Sequence, residues 1–321
     1  MNYLRQLISI LMLTAAPWAA AQAPAFPSGP VRIVIPSAAG GSLDISARMM
    51  VDKLQRALGQ PVIVDNRVGA DGIIGAQAAA QAAADGHTLF YGGTTTIVAN
   101  AVLRRKLPYD PLRDFAPVTL VGVSALVLLV NPDLPVQNVA ELVSYAKANP
   151  GKLAFGSAFV SARMAGELFN IMTGATLLSV PYKSGVTAHT DLVGGQVQVM
   201  FGDLFSALPF IKSGKVRALA VTTARRTAAA PELPTIAETL PGYELTAWGA
   251  FFVPAKTPAP VVARLNSELV GIIGAPEFRQ RLLASGSDAN PGTPQALKSM
   301  VDADVATWRR LVVDAHMEMT D

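Results

Sequence analysis

The sequence predicts an α/β fold built as two lobes. Short runs of β-branched and aromatic residues alternate with segments of helical periodicity along most of the 321 residues. This alternation is typical of a sheet of parallel strands covered by helices. It falls into two strand–helix series of similar size, followed by a helical C-terminal segment. No repeat of fixed period is visible, so two lobes with a cleft between them are favoured over a solenoid.

The first strand–helix series starts with a predicted strand over Val31–Ile35 that ends at Pro36. A helix is predicted from Leu43 to Leu58, because apolar residues recur there every three or four positions and Gly59 suits the residue after a helix. The other elements of this series, in chain order, are a strand over Val62–Val64, a helix over Gly72–Ala84, a strand over Thr88–Tyr91 and a long apolar stretch over Pro117–Val130.

The second series starts with a helix over Val139–Ala146, since Asn138 and Glu141 have the spacing of a capping box. The later elements are a strand over Leu153–Phe155, a helix over Ala162–Met172, a strand over Leu177–Val180, a helix over Val186–Val193, and strands over Val197–Phe201, Val216–Thr222 and Trp248–Val253. The C-terminal helices are expected to begin near Pro258, Pro276 and Pro294, with Thr293 as N-cap of the last.

The composition excludes several classes of protein. With 26 Lys+Arg and 23 Asp+Glu the net charge is +3, and no long basic cluster suits nucleic acid. Cysteine is absent, which excludes disulfides, thiolate catalysis, Cys-ligated zinc and iron–sulfur clusters. His87, His189 and His316 lack the spacing of metal ligands. Nucleophile-elbow, P-loop and dinucleotide-binding motifs are missing too. We therefore expect neither metal nor cofactor, and the sequence offers no support for an enzyme.

The N-terminus has the pattern of an export signal. Arg5 is followed by an apolar run over Leu7–Ala16 and by the small residues Ala19–Ala21. The run is shorter than the ~20 residues of a membrane-spanning helix, and Pro17 interrupts it. We predict that residues 1–21 are a cleavable signal peptide. The absence of cysteine is compatible with a periplasmic mature protein.

The first strand runs into a loop of small residues, Pro36–Asp44. Its glycines let a ligand approach the backbone closely, and the helix that begins there offers unpaired N–H groups and the positive end of its dipole. Loops of this kind at the carboxyl edge of a parallel sheet bind ligands in α/β proteins. These features suit a carboxylate. The alternative is a plain helix start, in which Ser42 is the N-cap and the glycines only ease the turn.

A family resemblance extends over nearly the whole predicted mature chain. The segment Ile33–Asp44 resembles the V-P-F-x-P-G-G-x-x-D motif of the Bug-type extracytoplasmic solute receptors of tripartite tricarboxylate transporters. Each further matching segment is short, but their order and spacing are together specific to that family. These segments are Val64–Arg67, Ala84–Leu89, Leu107–Pro111, Asp114–Val118, Val180–Lys183, Asp191–Gln196, Met200–Phe201, Ala218–Thr222, Pro234–Thr235 and Pro241–Glu244.

The resemblance implies a periplasmic binding protein of the type II, Venus-flytrap kind, in which two α/β lobes joined by two crossover strands close on a small carboxylate. Carried over to this chain, the crossovers fall near Gly122–Ser124 and Thr246–Gly249. Lobe one then comprises residues 22–123 and 247–321, and lobe two comprises residues 124–246. The implied molecule is a monomer that works with integral-membrane transporter subunits.

The chain departs from the family pattern at positions that bear on the ligand. Ala39 stands where the family usually has Pro, and Leu43 where it has Thr or a similar residue. In lobe two, Gly156–Ala165 resembles the family's S-G-N-G-x-x-x-H-L-A segment, but it is shorter and places Arg163 near the family's His. A different or larger acid would fit this departure, with Arg163 as a fixed counter-charge or Phe159 as an apolar wall. The alternative is that Arg163 faces solvent.

The leading hypothesis is a receptor that traps a small organic carboxylate between its lobes. Asp44 and Asp203 repel a carboxylate, so we expect them to cap backbone groups, fix water, or meet a hydroxyl or ammonium group of the ligand. The alternatives are a sensory co-receptor for a membrane histidine kinase and an exported hydrolase or lyase acting on an organic acid. The candidate ligand-binding residues are Ser37, Ala38, Gly40, Gly41, Ser42, Asp44, Thr94, Thr95, Ser157, Ser161, Arg163 and Asp203.

Overall fold

The computed structural model describes residues 26–182 and 184–319. The predicted signal peptide, residues 1–21, and Lys183 of one family segment lie outside these residues. Within the described part of the chain, no helix is both long enough and apolar enough to cross a membrane.

The helices form where the sequence carries an apolar stripe. The first helix, for example, buries Ala47, Met50 and Leu54 on one face and ends at Gly59, whose φ of 66° is left-handed. The α-helices are α1 (Ser42–Leu58), α2 (Ile73–Ala80), α3 (Asn100–Leu103), α4 (Val139–Ala148), α5 (Val160–Thr173), α6 (Gly185–Val193), α7 (Leu204–Lys212), α8 (Ala259–Gly274), α9 (Pro276–Ala284) and α10 (Pro294–Asp314), with a π-helical turn over Thr95–Ala99 and 3-10 turns over Ala70–Gly72 and Ile236–Glu238.

The strands form a mixed sheet in the order β2-β1-β3-β9-β4-β7-β5-β6, with β8 and β10 also paired to β4. Strand β1 runs parallel to β2 and β3, and β5 runs parallel to β6 and β7. The strands are β1 (Val31–Ile35), β2 (Val62–Asn66), β3 (Thr88–Gly93), β4 (Phe115–Val130), β5 (Ala154–Ser157), β6 (Leu178–Pro181), β7 (Val199–Asp203), β8 (Arg217–Val221), β9 (Thr246–Pro254) and β10 (Ser287–Ala289).

The 16-residue strand β4 joins the two halves of the sheet. From Phe115 to Ala125 it pairs with β9, and over residues 122–124 it also pairs with the short strand β10. From Leu126 to Val130 it pairs with β7, and β8 pairs with the same end. We call residues 122–126 of β4 the crossover segment, because the pairing partners change there.

The strand registers direct several loops toward the crossover segment. Gly93, at the end of β3, lies opposite Gly249 of β9, which lies opposite Gly122 of β4. From the other half, Asp203 at the end of β7 lies opposite Leu126. Strands β1 and β3 are parallel, so their carboxyl ends lie at the same edge of the first half of the sheet. Strands β5 and β7 are likewise parallel, and their carboxyl ends lie at the same edge of the second half. The loops that follow β1, β3, β5 and β7 therefore border one cleft.

The apolar core continues along β4 from one half of the molecule to the other. One cluster of buried side chains includes Phe90 and Phe115 in the first half and Phe155 and Phe201 in the second. A second cluster packs α1, α8 and α9 against the β1 half of the sheet. A third packs α6 and α7 against the β7 half. Each half of the molecule thus has one apolar cluster of its own, and the first cluster is common to both halves.

Most predicted elements are present, with ends shifted by a few residues. Helix α2 stops at Ala80 rather than at Ala84, because the Ala82 N–H bonds to the Ala79 carbonyl and tightens the turn. Helices α3 and α7, strand β10, the π-helical turn and the 3-10 turn over Ile236–Glu238 are absent from the prediction. Helix α7 contains Pro209, a residue that argues against a helix interior, and β10 has only three residues.

Gly166 in α5 and Gly271 in α8 form a matched pair for testing this packing. A Cβ at Gly166 would overlap the buried ring of Phe155, whereas nothing lies within 4 Å of a Cβ at Gly271. We expect Gly166→Ala to lower the free energy of unfolding by about 1–3 kcal/mol through overpacking. Gly271→Ala should raise it by about 0.5–1 kcal/mol through helix propensity. Urea unfolding measures both changes, and a Gly166→Ala protein as stable as the wild type would contradict the packing.

Candidate functional site

The loop between β1 and α1, residues 36–41, lies at the cleft. Within it, the Gly40 N–H bonds to Asp44 and the Gly41 N–H to the Ala38 carbonyl. Gly40 has φ +81°, a left-handed conformation that favours glycine. The N-cap of α1 is Gly41, at φ −73° and ψ 165°, and no side chain caps this 17-residue helix. The alternative in which Ser42 is the N-cap is wrong, because Ser42 is already the first residue of the helix. The first-turn N–H groups are therefore left without a side-chain acceptor.

Asp44 holds this loop in shape. Its carboxylate accepts a hydrogen bond from the Gly40 N–H (2.9 Å) and bonds from Arg48 Nε to both oxygens (3.0 and 2.9 Å). The Arg48 bond holds the pKa of the Asp44 carboxyl below its usual range, although burial opposes the shift. Asn66, at the end of β2, donates to the Ser37 carbonyl (3.0 Å). Asp44 thus caps a backbone group, one of the roles expected for it.

The end of β3 packs closely against the crossover strand β9. Position 93 requires glycine, because a Cβ there would overlap the carbonyl oxygen of Trp248. The hydroxyl of buried Thr94 accepts a hydrogen bond from the Trp248 N–H (2.9 Å), and the Trp248 indole donates to Asp304 of α10 (2.6 Å). Thr94 therefore ties β9 to the loop after β3. The neighbouring Thr95 hydroxyl bonds to no described residue.

The loop between β5 and α5 brings two buried serines to the lobe-two side. Ser157 is 3% and Ser161 2% exposed, yet neither hydroxyl bonds to another described residue. Phe159 is the N-cap of α5, in extended backbone, and no side chain caps this helix. Arg163 lies along α5 with its Nε 3.8 Å from Oε1 of Glu167, and its side chain is 46% exposed. Arg163 is thus solvent-exposed in an ion pair along its own helix.

Asp203 and His189 lie at the β7 side of lobe two. The Asp203 carboxylate accepts a hydrogen bond from the Ser206 N–H (3.0 Å), so it caps α7, again a role expected from the sequence. His189 is buried, stacks on Phe210 with ring centres 4.7 Å apart, and bonds through Nδ1 to the Gly185 carbonyl (2.7 Å). Burial holds the pKa of His189 below its usual value. We therefore read His189 as a structural residue.

Five of the twelve candidate residues have hydroxyl groups that bond to no described residue. Buried polar side chains normally form hydrogen bonds, but the Ser37 Oγ is shielded from solvent and unbonded. Ser42, Thr95, Ser157 and Ser161 likewise form no side-chain hydrogen bond to a described residue. Together with the free N–H groups of α1 and α5, these hydroxyls form a donor set that contains no charged group. The described residues also contain no cluster of His, Asp or Glu placed to bind a metal ion.

Sequence reasoning missed the residues that position these loops. Asn66 lies in the family segment Val64–Arg67, but the sequence pattern assigns it no role. Arg48 lies four residues after Asp44, a spacing that favours an ion pair on a helix. No local spacing points to the role of Trp248, because its backbone N–H bonds to Thr94, which is 154 residues away in the sequence.

The comparison with known families identifies the kind of protein. Residues 46–317 match the model described as the tripartite tricarboxylate transporter family receptor. The chain belongs to this receptor family. BugT of Bordetella pertussis is 34% identical to it over 316 residues, covering 97% of each chain. A UPF0065 protein of Bordetella bronchiseptica is 37% identical over 314 residues, covering 98% of this chain and 94% of the relative. Members of the family are periplasmic receptors, and the predicted resemblance is confirmed.

Solved structures confirm the predicted two-lobed periplasmic-binding-protein fold. An R. palustris protein solved with adipate has a TM-score of 0.80 and 34% identity, covering 91% of this receptor and 98% of that chain. MatC of Rhodopseudomonas palustris, solved with bound malate, has a TM-score of 0.75 and 32% identity, covering 89% of this receptor and 100% of that chain.

Asp44→Asn tests whether the carboxylate maintains the β1–α1 loop. An amide accepts weaker bonds from Gly40 and Arg48, so we expect the free energy of unfolding at pH 7 to fall by about 1.5–3 kcal/mol. The folded-state pKa of Asp44 lies below its unfolded value. Its contribution is therefore present above about pH 4 and is lost as the pH falls through the folded pKa. Thermal unfolding should show a wild-type advantage that narrows in acid. An advantage that does not change with pH would contradict this assignment.

Proposed function

We propose that this receptor is exported, loses residues 1–21, captures a small organic carboxylate between its lobes and presents it to integral-membrane transporter subunits. Membership of the receptor family supports the role in transport. The ligand class is supported by two relatives that were solved with carboxylates, one with adipate and one with malate. The donor set at the cleft supports the same class, because it suits an anion with several acceptor oxygens.

The unbonded hydroxyl of Ser37 is the observation that carries this proposal. A buried hydroxyl without a partner is unfavourable, and the Ser37 Oγ has none in the described protein. It lies in the loop that leads into the uncapped first turn of α1, where the helix dipole favours negative charge. A ligand carboxylate placed there accepts from the hydroxyl and from backbone N–H groups together.

Hydrogen bonds of this kind are sufficient for useful affinity. A hydrogen bond to a charged group contributes about 1.5–3 kcal/mol net. A micromolar complex needs about 8 kcal/mol, to which the costs of association and closure are added. Several donors acting together, among them Ser37 and Ser42 in lobe one and Ser157 and Ser161 in lobe two, supply energy of that order without a fixed cation.

The lobes of the proposed receptor are residues 22–123 with 247–321, and residues 124–246. The pairing of β4 supports this division, because Ala125 is the last residue to pair with β9 and Leu126 the first to pair with β7. Lobes connected through two paired strands can hinge at the point where the pairing changes. Closure at the crossover segment moves the loop after β5 toward the loops after β1 and β3.

The proposed cleft binds its ligand and does not convert it. A nucleophilic serine needs a base within hydrogen-bond reach. The hydroxyls of Ser37, Ser42 and Ser157 bond to no described His, Asp or Glu. The buried His189 is occupied at Nδ1 by the Gly185 carbonyl. These contacts support a receptor over a hydrolase.

Ser37→Ala distinguishes a ligand-binding hydroxyl from one that only packs. Removing an unbonded buried hydroxyl should leave the free protein as stable as the wild type or slightly more stable. The affinity for malate, succinate or adipate, whichever binds, should fall about tenfold, because one charge-assisted hydrogen bond is lost. Calorimetry measures the affinity and thermal unfolding the stability. Ser144→Ala is the control for affinity, because Ser144 is exposed on α4 and its hydroxyl bonds only to the Ala140 carbonyl of the same helix. It should leave the affinity unchanged and alter the stability by no more than about 0.5 kcal/mol.

Two results would count against the proposal in different ways. If the wild type binds a probe and Ser37→Ala binds it equally well, Ser37 is not part of the site. If the wild type binds none of a panel of mono-, di- and tricarboxylates, the ligand class itself is wrong.

Lobe closure is expected when a ligand binds. Small-angle scattering at saturating concentration of a probe found by calorimetry should show a smaller radius of gyration than the free protein, since the two lobes rotate toward each other. An unchanged radius would exclude a flytrap motion. The control uses a probe concentration that saturates the wild type but not Ser37→Ala. At that concentration the variant should keep the larger radius of gyration, which shows that closure depends on bound ligand.

A further inference from the structure

We infer that Phe159 makes this receptor select carboxylates with an apolar body, either an aliphatic chain or an aromatic ring, over compact hydroxy acids. The inference rests on the proposed function, because it concerns the same cleft. It assigns a specificity-determining role to the residue at the start of α5, the lobe-two helix that begins at the cleft.

The position of Phe159 is not explained by helix stability. Ser, Thr, Asp and Asn are favoured at the N-cap because they accept a bond from the first turn. Side chains of this kind cap α4, α6, α7 and α10, namely Asn138, Ser184, Asp203 and Thr293. Phe159 caps nothing and leaves a large aromatic side chain 36% exposed. An exposed aromatic ring at the mouth of a cleft is a surface for an apolar group of a ligand.

The surroundings of Phe159 combine apolar surface with unbonded hydroxyls. Ser157 and Ser161 lie two residues to either side and have no protein partner. Strand β6 lies beside β5, because Ser157 pairs in register with Pro181. In α6, the next helix after β6, Val186 is 74% exposed. The hydroxyls suit the carboxylate of a ligand, and the Phe159 ring with Val186 suits the carbon atoms next to it.

The charges at this edge of lobe two also disfavour a compact hydroxy acid. Arg163 is paired with Glu167 and its side chain is 46% exposed. The Asp203 carboxylate is engaged with the Ser206 N–H. A ligand hydroxyl placed against the Phe159 ring would lose its bonds to water and gain no partner from the ring, which is unfavourable. An apolar chain or ring loses nothing there and removes aromatic surface from water.

The test compares the affinities of adipate, phenylacetate and malate for the wild type and two variants. We expect the wild type to bind adipate or phenylacetate at least about tenfold more tightly than malate. Phe159→Ala should lose most of that preference through weaker binding of the apolar probe, and Phe159→Leu should keep most of it. Met172→Ala is the matched control, because Met172 is also 36% exposed but lies in the last turn of α5. It should leave every affinity unchanged.

The outcomes separate this inference from the proposed function. A wild type that prefers malate, or a Phe159→Ala variant with an unchanged ratio of affinities, would overturn the role of Phe159 and leave carboxylate capture standing. A wild type that binds no carboxylate would overturn both. Thermal unfolding of each variant shows whether it is folded. If Phe159→Ala fails to fold, Phe159→Leu and Phe159→Gln replace it in the test. Glutamine removes the apolar ring and retains bulk, so Phe159→Gln should lose the preference for the apolar probe over malate, whereas Phe159→Leu should keep it.

Discussion

Strand β4 runs through both halves of the sheet, and the geometry of the cleft follows from its pairing. Strand β4 pairs with β9 up to Ala125 and with β7 from Leu126 onward. The pairing of β4 with β9 shifts register between Pro117 and Thr119 and between Leu120 and Gly122. The register that β4 holds from Gly122 to Leu126 determines where the ends of β3 and β7 fall. A slip of one residue would turn every side chain of the strand to the opposite face. The register of β4 therefore keeps loops from both lobes directed at the same place.

The helices that follow β1 and β5 at this cleft begin without a side-chain cap. The same is true of α2, α3, α8 and α9, whereas side chains cap α4, α6, α7 and α10. Omitting a cap costs about 0.5–2 kcal/mol of helix stability, and functional sites are where proteins tolerate such losses. In lobe one, the bonds of Asp44 to Gly40 and Arg48 offset part of the loss while leaving the first-turn N–H groups available. The atoms that stabilise this loop are thus different from those that the proposed function assigns to the ligand.

The parts that the sequence predicts well depend on local patterns. Strand β1, helix α1 and the Asn138 cap follow from periodicity and from spacings of a few residues. The N-cap of α1 was placed one residue late, since glycine and serine are both acceptable there and backbone angles alone decide. Strand β10 and the bond from Trp248 to Thr94 depend on contacts between distant segments, which periodicity does not reveal. The candidate hydroxyls were found because they lie on loops after predicted strands, but the structure alone shows that they lack partners.

The departures from the family pattern have unequal consequences for the ligand. Leu43 stands where the family pattern that this chain resembles has Thr or a similar residue. It lies close to Gly249: a Cβ added to Gly249 would be 2.8 Å from Cδ2 of Leu43. Leu43 thus fills space beside the crossover strand, and its effect is on packing. Ala39 is exposed in a loop whose shape depends on Asp44 and Asn66. In the proposed site, the backbone and small hydroxyls of these loops would bind a carboxylate group whatever is attached to it. Under that proposal, discrimination among acids falls to larger side chains at the rim, and at the start of α5 that side chain is Phe159.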